Sequence, residues 1–255
     1  MDDACSGGGP FAAAAGRGEP RARPEPSGMQ PSTDQQRSLA TTAGQFPLEE
    51  FRLSLGGRRW TILHTGAVLS FWDEQRFLSE QRNRHAYGVA LWPAAIALAY
   101  EVASRPADFA GAHVLELGAG TGLPGIVAAS LGARVVQTDR QELALSVCRR
   151  NGARNEASAI EYRLADWAHW GDAARYDLIL GADILYGEAA HAHLRRIFES
   201  NLAPGGRVLL SDPFRSMSLR LLEALEAEGW TVAMSKWSVG EGKGPRPIGV
   251  FELRR

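Results

Sequence analysis

The run Val114-Leu115-Glu116-Leu117-Gly118-Ala119-Gly120-Thr121-Gly122-Leu123-Pro124-Gly125 carries an apolar strand into a glycine-rich turn and then into the first residues of a helix. Glycines let a backbone take positive φ and come close to a ligand, and a helix start turns free N–H groups towards an anion. Beyond this run, β-rich stretches alternate with helical ones. Strands are expected at 113–117, 134–138, 160–164, 176–181, 206–211, 230–237 and 248–253, with helices starting near Pro124, Gln141, Glu188 and Ser216. Repeated strand-helix order implies right-handed crossovers and a mostly parallel seven-stranded sheet covered on both faces, an α/β fold. The last two strands have no helix between them, only the glycine-bearing stretch 238–246, so they are expected to pair antiparallel as a closing hairpin.

Upstream, residues 51–55 and 58–64 flank Gly56-Gly57 and read as an N-terminal β-hairpin. Residues 70–87 are polar and aromatic, a loop or short helix. An Ala- and Leu-rich helix is expected from Trp92 to about Ser104, with Pro93 tolerated in its first turn and Arg105-Pro106 ending it. Residues 1–45 hold almost no large apolar side chains, cannot offset their ordering entropy, and are expected to be a disordered tail. Met29 offers a second start within it. The remaining 46–255 then form one domain, with a hairpin and cap at 46–87 and the core at 88–255.

With 28 Lys+Arg against 29 Asp+Glu, the net charge is −1, which gives no basis for nucleic-acid binding. The longest apolar run, 89–100, is about 12 residues, short of the roughly 20 needed to cross a bilayer. Met1-Asp2-Asp3 is acidic where a targeting peptide would be basic. Two cysteines, Cys5 and Cys148, exclude a disulfide framework or a Cys-rich metal site, and Cys148 reads as a small helix hydrophobe. His191 and His193 stand at i, i+2, which on a helix sends the rings to different faces, so no metal site is expected. A cytoplasmic monomer is the expected state.

A sheet of this kind binds its ligand beyond the carboxyl ends of its strands, where strand order reverses. Gly120-x-Gly122-x-x-Gly125 satisfies the dinucleotide fingerprint. Asp139 follows at the end of the next strand, where a carboxylate can take two ribose hydroxyls. A nicotinamide dinucleotide and S-adenosylmethionine both meet these requirements; Glu116, the later strand ends and the closing hairpin separate them.

With Glu116 included, the loop has the form E-x-G-x-G-x-G, and here the sequence resembles the seven-strand, Rossmann-like S-adenosylmethionine-dependent methyltransferases. Four further stretches look like their family 16, the methyltransferase-like protein-lysine methyltransferases, which carry D-x-x-Y after the fourth strand. They are 88–94 (GVALWPA), Asn151 and Asn155, Asp166-Trp167, and Asp183-Ile184-Leu185-Tyr186. The resemblance covers about residues 50–255. It implies that Gly118, Gly120 and Gly122 wrap the methionine part of S-adenosyl-L-methionine, with Glu116 near its ammonium group and Asp139 on the ribose. By the same resemblance Asp166 accepts from the adenine amino group, Trp167 lies against the ring, Trp92 sits near the mouth, and Ala182 belongs to the cofactor-binding set. Core packing competes for Trp92, Trp167 and Tyr186.

Asp183 follows the apolar run 176–182, so its side chain is expected at the carboxyl edge of the sheet, facing the methyl group, with Tyr186 beside it as the second catalytic candidate. A helix N-cap competes for Asp183. The family often has an aromatic where Ala190 stands here, a departure that bears on the substrate pocket. The expected activity is methyl transfer to a side-chain nitrogen of a protein substrate, with lysine favoured and arginine or a small molecule as alternatives. A nicotinamide-dependent dehydrogenase and a non-catalytic S-adenosylmethionine-binding module are the rivals from other classes.

Overall fold

From His113 the chain alternates strand and helical segment up to Ala227, and two consecutive strands close it. A computed structural model describes residues 38–41, 44–68, 87–240 and 245–255. Seven strands form the central sheet: β5 (His113–Leu117), β6 (Arg134–Asp139), β7 (Ile160–Leu164), β8 (Tyr176–Ala182), β9 (Leu202–Asp212), β10 (Thr231–Val239) and β11 (Arg246–Arg254). Their order is β10-β11-β9-β8-β5-β6-β7. Strands β7, β6, β5, β8 and β9 run parallel, and β11 pairs antiparallel with both β9 and β10. This is the mostly parallel sheet with a closing hairpin that the strand-helix alternation predicts. Chain order turns back on itself between β5 and β8, so the switch point lies at their carboxyl ends.

Alternation along β5 sorts the two cores. Val114 packs with helices α1 (Pro93–Ser104) and α3 (Leu123–Ser130) on one face, through Ile96, Leu98, Ile126 and Val127. Leu115 and Leu117 pack on the other face against α5 (Glu188–Asn201) and α6 (Ser216–Ala227), through Leu194, Phe198, Leu221 and Leu225. Arg105-Pro106 ends α1 as expected, although the chain re-enters a short turn of helix, α2 (Pro106–Phe109). Among the described residues no helix is long and apolar enough to cross a membrane.

The N-terminal hairpin consists of β3 (Glu49–Leu55) and β4 (Arg58–His64), and buries Leu53, Trp60 and Ile62 in the first core. Among the described residues no strand pairs with the outer edge of β4. Helix α4 (Glu142–Arg154) supplies a partner there through its asparagines. Asn151 accepts from the Leu63 N–H (2.7 Å) and donates to the Leu63 carbonyl (3.0 Å). One residue pair along the strand, the Asn155 amide, at the C-cap of α4, does the same for Thr61, at 2.8 Å each way. An i, i+4 pair on the helix thus matches an i, i+2 pair on the strand. Asn151 also donates to the Thr121 carbonyl in the glycine loop (2.9 Å), joining hairpin and loop. Replacing Asn151 by alanine strands three buried backbone groups, each costing about 1–3 kcal/mol. Asn151→Ala is therefore expected to lower unfolding free energy by about 3 kcal/mol, more than Asn155→Ala; equal small losses in chemical denaturation would refute the clasp.

The expected tail is shorter than residues 1–45. Ser38–Thr41 (β1) and Gly44–Pro47 (β2) pair antiparallel, so ordered structure begins before residue 46. The physical reason is a set of three apolar anchors: Leu39 and Leu48 are buried with Leu63, Val89, Ala144 and Val147, and Phe46 packs against them. Arg150 donates to the Ser38 carbonyl and fixes the strand on α4 (2.7 Å). Most of the expected loop at 70–87, and 241–244 of the stretch 238–246, lie outside the described residues.

Candidate active site

The carboxyl ends of β5, β6 and β8 bring three of the expected elements together. The glycine loop leaves β5, Asp139 ends β6, and Asp183 follows β8, with β5 flanked by the other two strands. Backbone bonds from Ala119 N–H to Thr138 O (2.9 Å) and from Gly122 N–H to Ala119 O (2.7 Å) pin the loop. Gly118 and Gly120 sit at φ +62° and +56° and are half-buried. A side chain at Gly118 would stand 3.0 Å from Ile184 and 3.3 Å from the Trp167 indole; one at Gly120 would stand 3.1 Å from the Gly88 carbonyl. Trp167, Ile184 and Gly88 therefore wall the loop. Gly122 is buried against Gln137 and Cys148, so its place is in packing behind the loop. The Cys148 thiol, read as a plain hydrophobe, also donates to the Gly120 carbonyl (3.2 Å).

Asp139 is only 9% exposed. Its two oxygens accept from the Gly120 N–H (3.1 Å) and the Gln141 N–H (2.9 Å). A carboxylate has about four acceptor positions, so each oxygen retains capacity for a hydroxyl. Burial raises its pKa, and the two backbone donors oppose that rise. A buried carboxylate beside half-exposed, positive-φ glycines and an indole fits the ribose, the methionine chain and the ring of an adenosyl cofactor.

Glu116 lies elsewhere than at the open edge. It faces the α3 side of β5, fully buried behind the loop, where Oε2 accepts from the Gly125 N–H (3.2 Å) and Gln137 Nε2 (2.6 Å). Gln137 Nε2 also donates to the Gly122 carbonyl (2.8 Å), so the two side chains hold the loop from below. Desolvation pushes the Glu116 carboxyl up to about 8, against the lowering effect of those donors, with Asp139 adding to the rise. Gly125 is required here for space: a side chain would collide with the Glu116 carboxyl and the Gln137 amide.

Asp166 is exposed, and its Oδ1 caps the following turn by accepting from the Ala168 N–H (2.9 Å). Trp92 is half-buried at the N-cap of α1, whose first turn is tied to the end of β9 by the Ser211 hydroxyl donating to the Ala94 carbonyl (2.8 Å). Ala182 is half-buried at the end of β8, and Tyr186 is 50% exposed. His191 bonds the Leu185 carbonyl (3.0 Å).

Asp183 is 9% exposed and adopts φ +52°, a left-handed conformation uncommon outside glycine. Its N–H donates to the Ser211 carbonyl (2.8 Å). Both carboxylate oxygens accept from Arg215, Oδ1 from Nε (3.1 Å) and Oδ2 from Nη2 (3.0 Å). It is not the N-cap of α5, a position held by Gly187. Two site residues were missed by sequence reasoning. Gln137 sits opposite Glu116 in the β5–β6 register, and a polar residue in the run Val135-Val136-Gln137 was its signal. Arg215 belongs to no motif and left none.

A switch-point glycine loop with a carboxylate ending the next strand defines a nucleotide-cofactor site of the doubly wound α/β class. The chain belongs to the lysine methyltransferase family, whose model matches residues 72–219. It is similar to protein N-lysine methyltransferase METTL21A of Danio rerio, 37% identical over 139 residues, covering 52% of this chain and 63% of the relative. It is also similar to histone-arginine methyltransferase METTL23 of Mus musculus, 35% identical over 106 residues, covering 39% of this chain and 42% of the relative. The chain thus spans less than two thirds of the length of these curated relatives. Among solved structures, a ribosomal protein L11 methylase of Lactobacillus delbrueckii subsp. bulgaricus superposes with a TM-score of 0.50 at 25% identity, covering 62% of this chain and 76% of that one.

Proposed function

We propose that the chain transfers the methyl group of S-adenosylmethionine to a side-chain nitrogen of a protein, lysine before arginine. The observation that carries this reading is the placement of Asp183, buried at the carboxyl end of β8 beside the glycine loop of β5. The family and the METTL21A relative favour lysine, while METTL23, matched over a shorter stretch, is the ground for arginine as the second reading. Because one fold serves many acceptors, the site has to decide the acceptor class. Tyr186, half-exposed three residues beyond Asp183, favours an acceptor presented from outside over one enclosed in a cavity. Near-balanced charge and a buried free thiol at Cys148 support a cytoplasmic enzyme, which we take as monomeric and without nucleic-acid or membrane partners.

Gly118, Gly120 and Asp139 would hold the methionine chain and ribose, Trp167, Asp166 and Ala182 the adenine side, and Trp92 the mouth. Glu116 and Gly122 act on the cofactor through the shape of the loop. Bound S-adenosylmethionine supplies a methyl group already activated for in-line displacement, so the protein contributes chiefly alignment and desolvation. A carboxylate oxygen of Asp183 accepts an N–H of the acceptor amine and aims its lone pair, Tyr186 shapes the channel, and the acceptor's proton leaves to water.

The test is transfer of labelled methyl from S-adenosylmethionine into a host lysate split into protein and small-molecule fractions. Label in protein that hydrolyses to methyl-lysine is the expected result; label confined to small molecules would overturn the substrate class. In parallel, Asp139→Ala is expected to weaken S-adenosylhomocysteine binding about tenfold or more, since each hydroxyl bond to a carboxylate contributes about 1.5–3 kcal/mol. Unchanged affinity by calorimetry would remove Asp139 from the site.

A further inference from the structure

We propose that Glu116 supplies, from beneath the glycine loop, the countercharge of the donor's sulfonium, and so makes the site tell the charged donor from its uncharged product. The inference rests on the methyl-transfer reading above and gives Glu116 an electrostatic part beyond its hold on the loop.

Methyl transfer changes the charge of what the loop holds. S-adenosylmethionine carries a positive sulfur. As the acceptor nitrogen forms the new N–C bond, the S–C bond breaks and its electron pair returns to sulfur, leaving S-adenosylhomocysteine with a neutral thioether. The positive charge passes to the acceptor, which gives a proton to water. An anionic group under the loop therefore attracts the donor more than the product, and the attraction ends with the transfer.

Glu116 has the position and the surroundings for this part. It stands two residues before Gly118 and accepts from the Gly125 N–H and from Gln137 Nε2, the group that also donates to the Gly122 carbonyl. Both donors are neutral, and both bonds fall on Oε2. Among the described residues no donor reaches Oε1 and no cationic side chain pairs with the carboxyl. A buried carboxyl without a countercharge holds its proton, here up to about 8, with desolvation as the main cause. A cation bound over the loop favours the ionised form and draws that proton off. The other titratable groups packed around it are Asp139 at the end of β6, Cys148 on α4 and Tyr162 on β7. Burial first, then Glu116 and Asp139, push the Cys148 thiol up, and burial first, then Cys148, push Tyr162 up to about 12, so both stay neutral from pH 6 to 9. Asp139, raised by burial against its backbone donors and the charge of Arg140, remains in place when Glu116 is replaced.

The test is calorimetry of the full chain without acceptor, with S-adenosylmethionine and S-adenosylhomocysteine as ligands, from pH 6 to 9, for wild type and Glu116→Gln. Taking the ratio of the two affinities cancels what the substitution does to the shape of the loop. Below about pH 8 the donor has to expel the Glu116 proton; above it the free chain is already ionised. In wild type the preference for the donor is therefore expected to rise about fivefold or more with pH and to level off above about 8, the effect of a unit-charge pair roughly 10 Å apart at an effective dielectric constant of about 20–40. At pH 7 donor binding is also expected to release more protons than product binding, seen as a heat that differs between phosphate and Tris buffers. Glu116→Gln is expected to lose both effects, keeping only what the ligands' own amino groups and Asp139 contribute. The same ratio at every pH in the two chains would confine Glu116 to holding the loop and overturn the proposal. If Glu116→Gln binds neither ligand, wild type decides: excess proton release with the donor supports the proposal, and equal release with donor and product refutes it. Failure of the wild-type chain to bind either ligand overturns the methyl-transfer reading, and this inference with it.

Discussion

Asp183→Ala is expected to reduce methyl transfer about 10²-fold while S-adenosylhomocysteine binds as it does to the wild-type chain. The magnitude follows from the chemistry: the donor is activated before it arrives, so what the protein can lose is alignment of the acceptor, and misplacement by about an ångström costs on that order. The alanine variant carries two side effects. It puts alanine, which lacks the polar side chain that eases left-handed backbone, at φ +52°, and it removes an anionic partner from Arg215. Asp183→Asn separates these from the chemistry. Asparagine tolerates left-handed backbone and keeps one acceptor oxygen for the amine or the guanidinium, while the charge is lost and the second acceptor becomes an NH2 donor. Asp183→Asn is therefore expected to fold with near wild-type stability and to retain more activity than Asp183→Ala. Full single-turnover rates in both variants, with cofactor binding intact, would take Asp183 out of the reaction.

What could be read ahead of the structure follows from how local each cause is. The parallel sheet was legible because most of its strands are short β-rich runs set apart by helical stretches, and no distant partner is needed to recognise one. The observed bounds of β5, β7 and the starts of α5 and α6 coincide with the expected ones. The strand pair β1–β2 was not legible, since its stability lies in Leu39, Phe46 and Leu48 meeting Leu63, Val89, Ala144 and Val147 across the fold. A tail with three apolar anchors has the composition of disorder until the surface they anchor to is known.

The same division runs through the site. Gly118, Gly120, Asp139 and Asp183 sit at strand ends, and sequence position alone puts them at the carboxyl edge. Side-chain direction is a different matter. Glu116 precedes the glycines by two residues, yet it occupies a central strand whose even positions face α3, so its carboxyl turns to Gly125 and Gln137 behind the loop. Arg215 reaches Asp183 only because β8 and β9 are neighbours and a left-handed residue at each end brings them together. Nothing within the stretch around Arg215 encodes that meeting.

The buried position of Glu116 has a measurable consequence for stability. Its carboxyl is raised to about 8 in the folded chain, mainly by desolvation, and has its ordinary value near 4.5 once the chain unfolds. Between these values the folded state binds a proton that the unfolded state has released. Stability therefore falls as pH rises from about 4.5 to about 8, by up to roughly 1.4 kcal/mol per pH unit, and levels off above. Glu116→Gln removes that slope. The new amide oxygen can accept from the Gly125 N–H, and its NH2 group can donate to Gln137 Oε1, a buried acceptor without a hydrogen-bond partner among the described residues. The variant is expected to match wild type near pH 5 and to exceed it by about 2–4 kcal/mol at pH 8, a gain of several degrees in Tm. Asp139, also raised by burial, remains in both chains and leaves a shallower slope of the same sign in each. Thermal unfolding across pH 5–9 decides the matter: parallel curves for the two chains would mean that Glu116 is ionised beneath the loop, and the loop would then rest on a buried carboxylate held by the Gly125 and Gln137 donors alone.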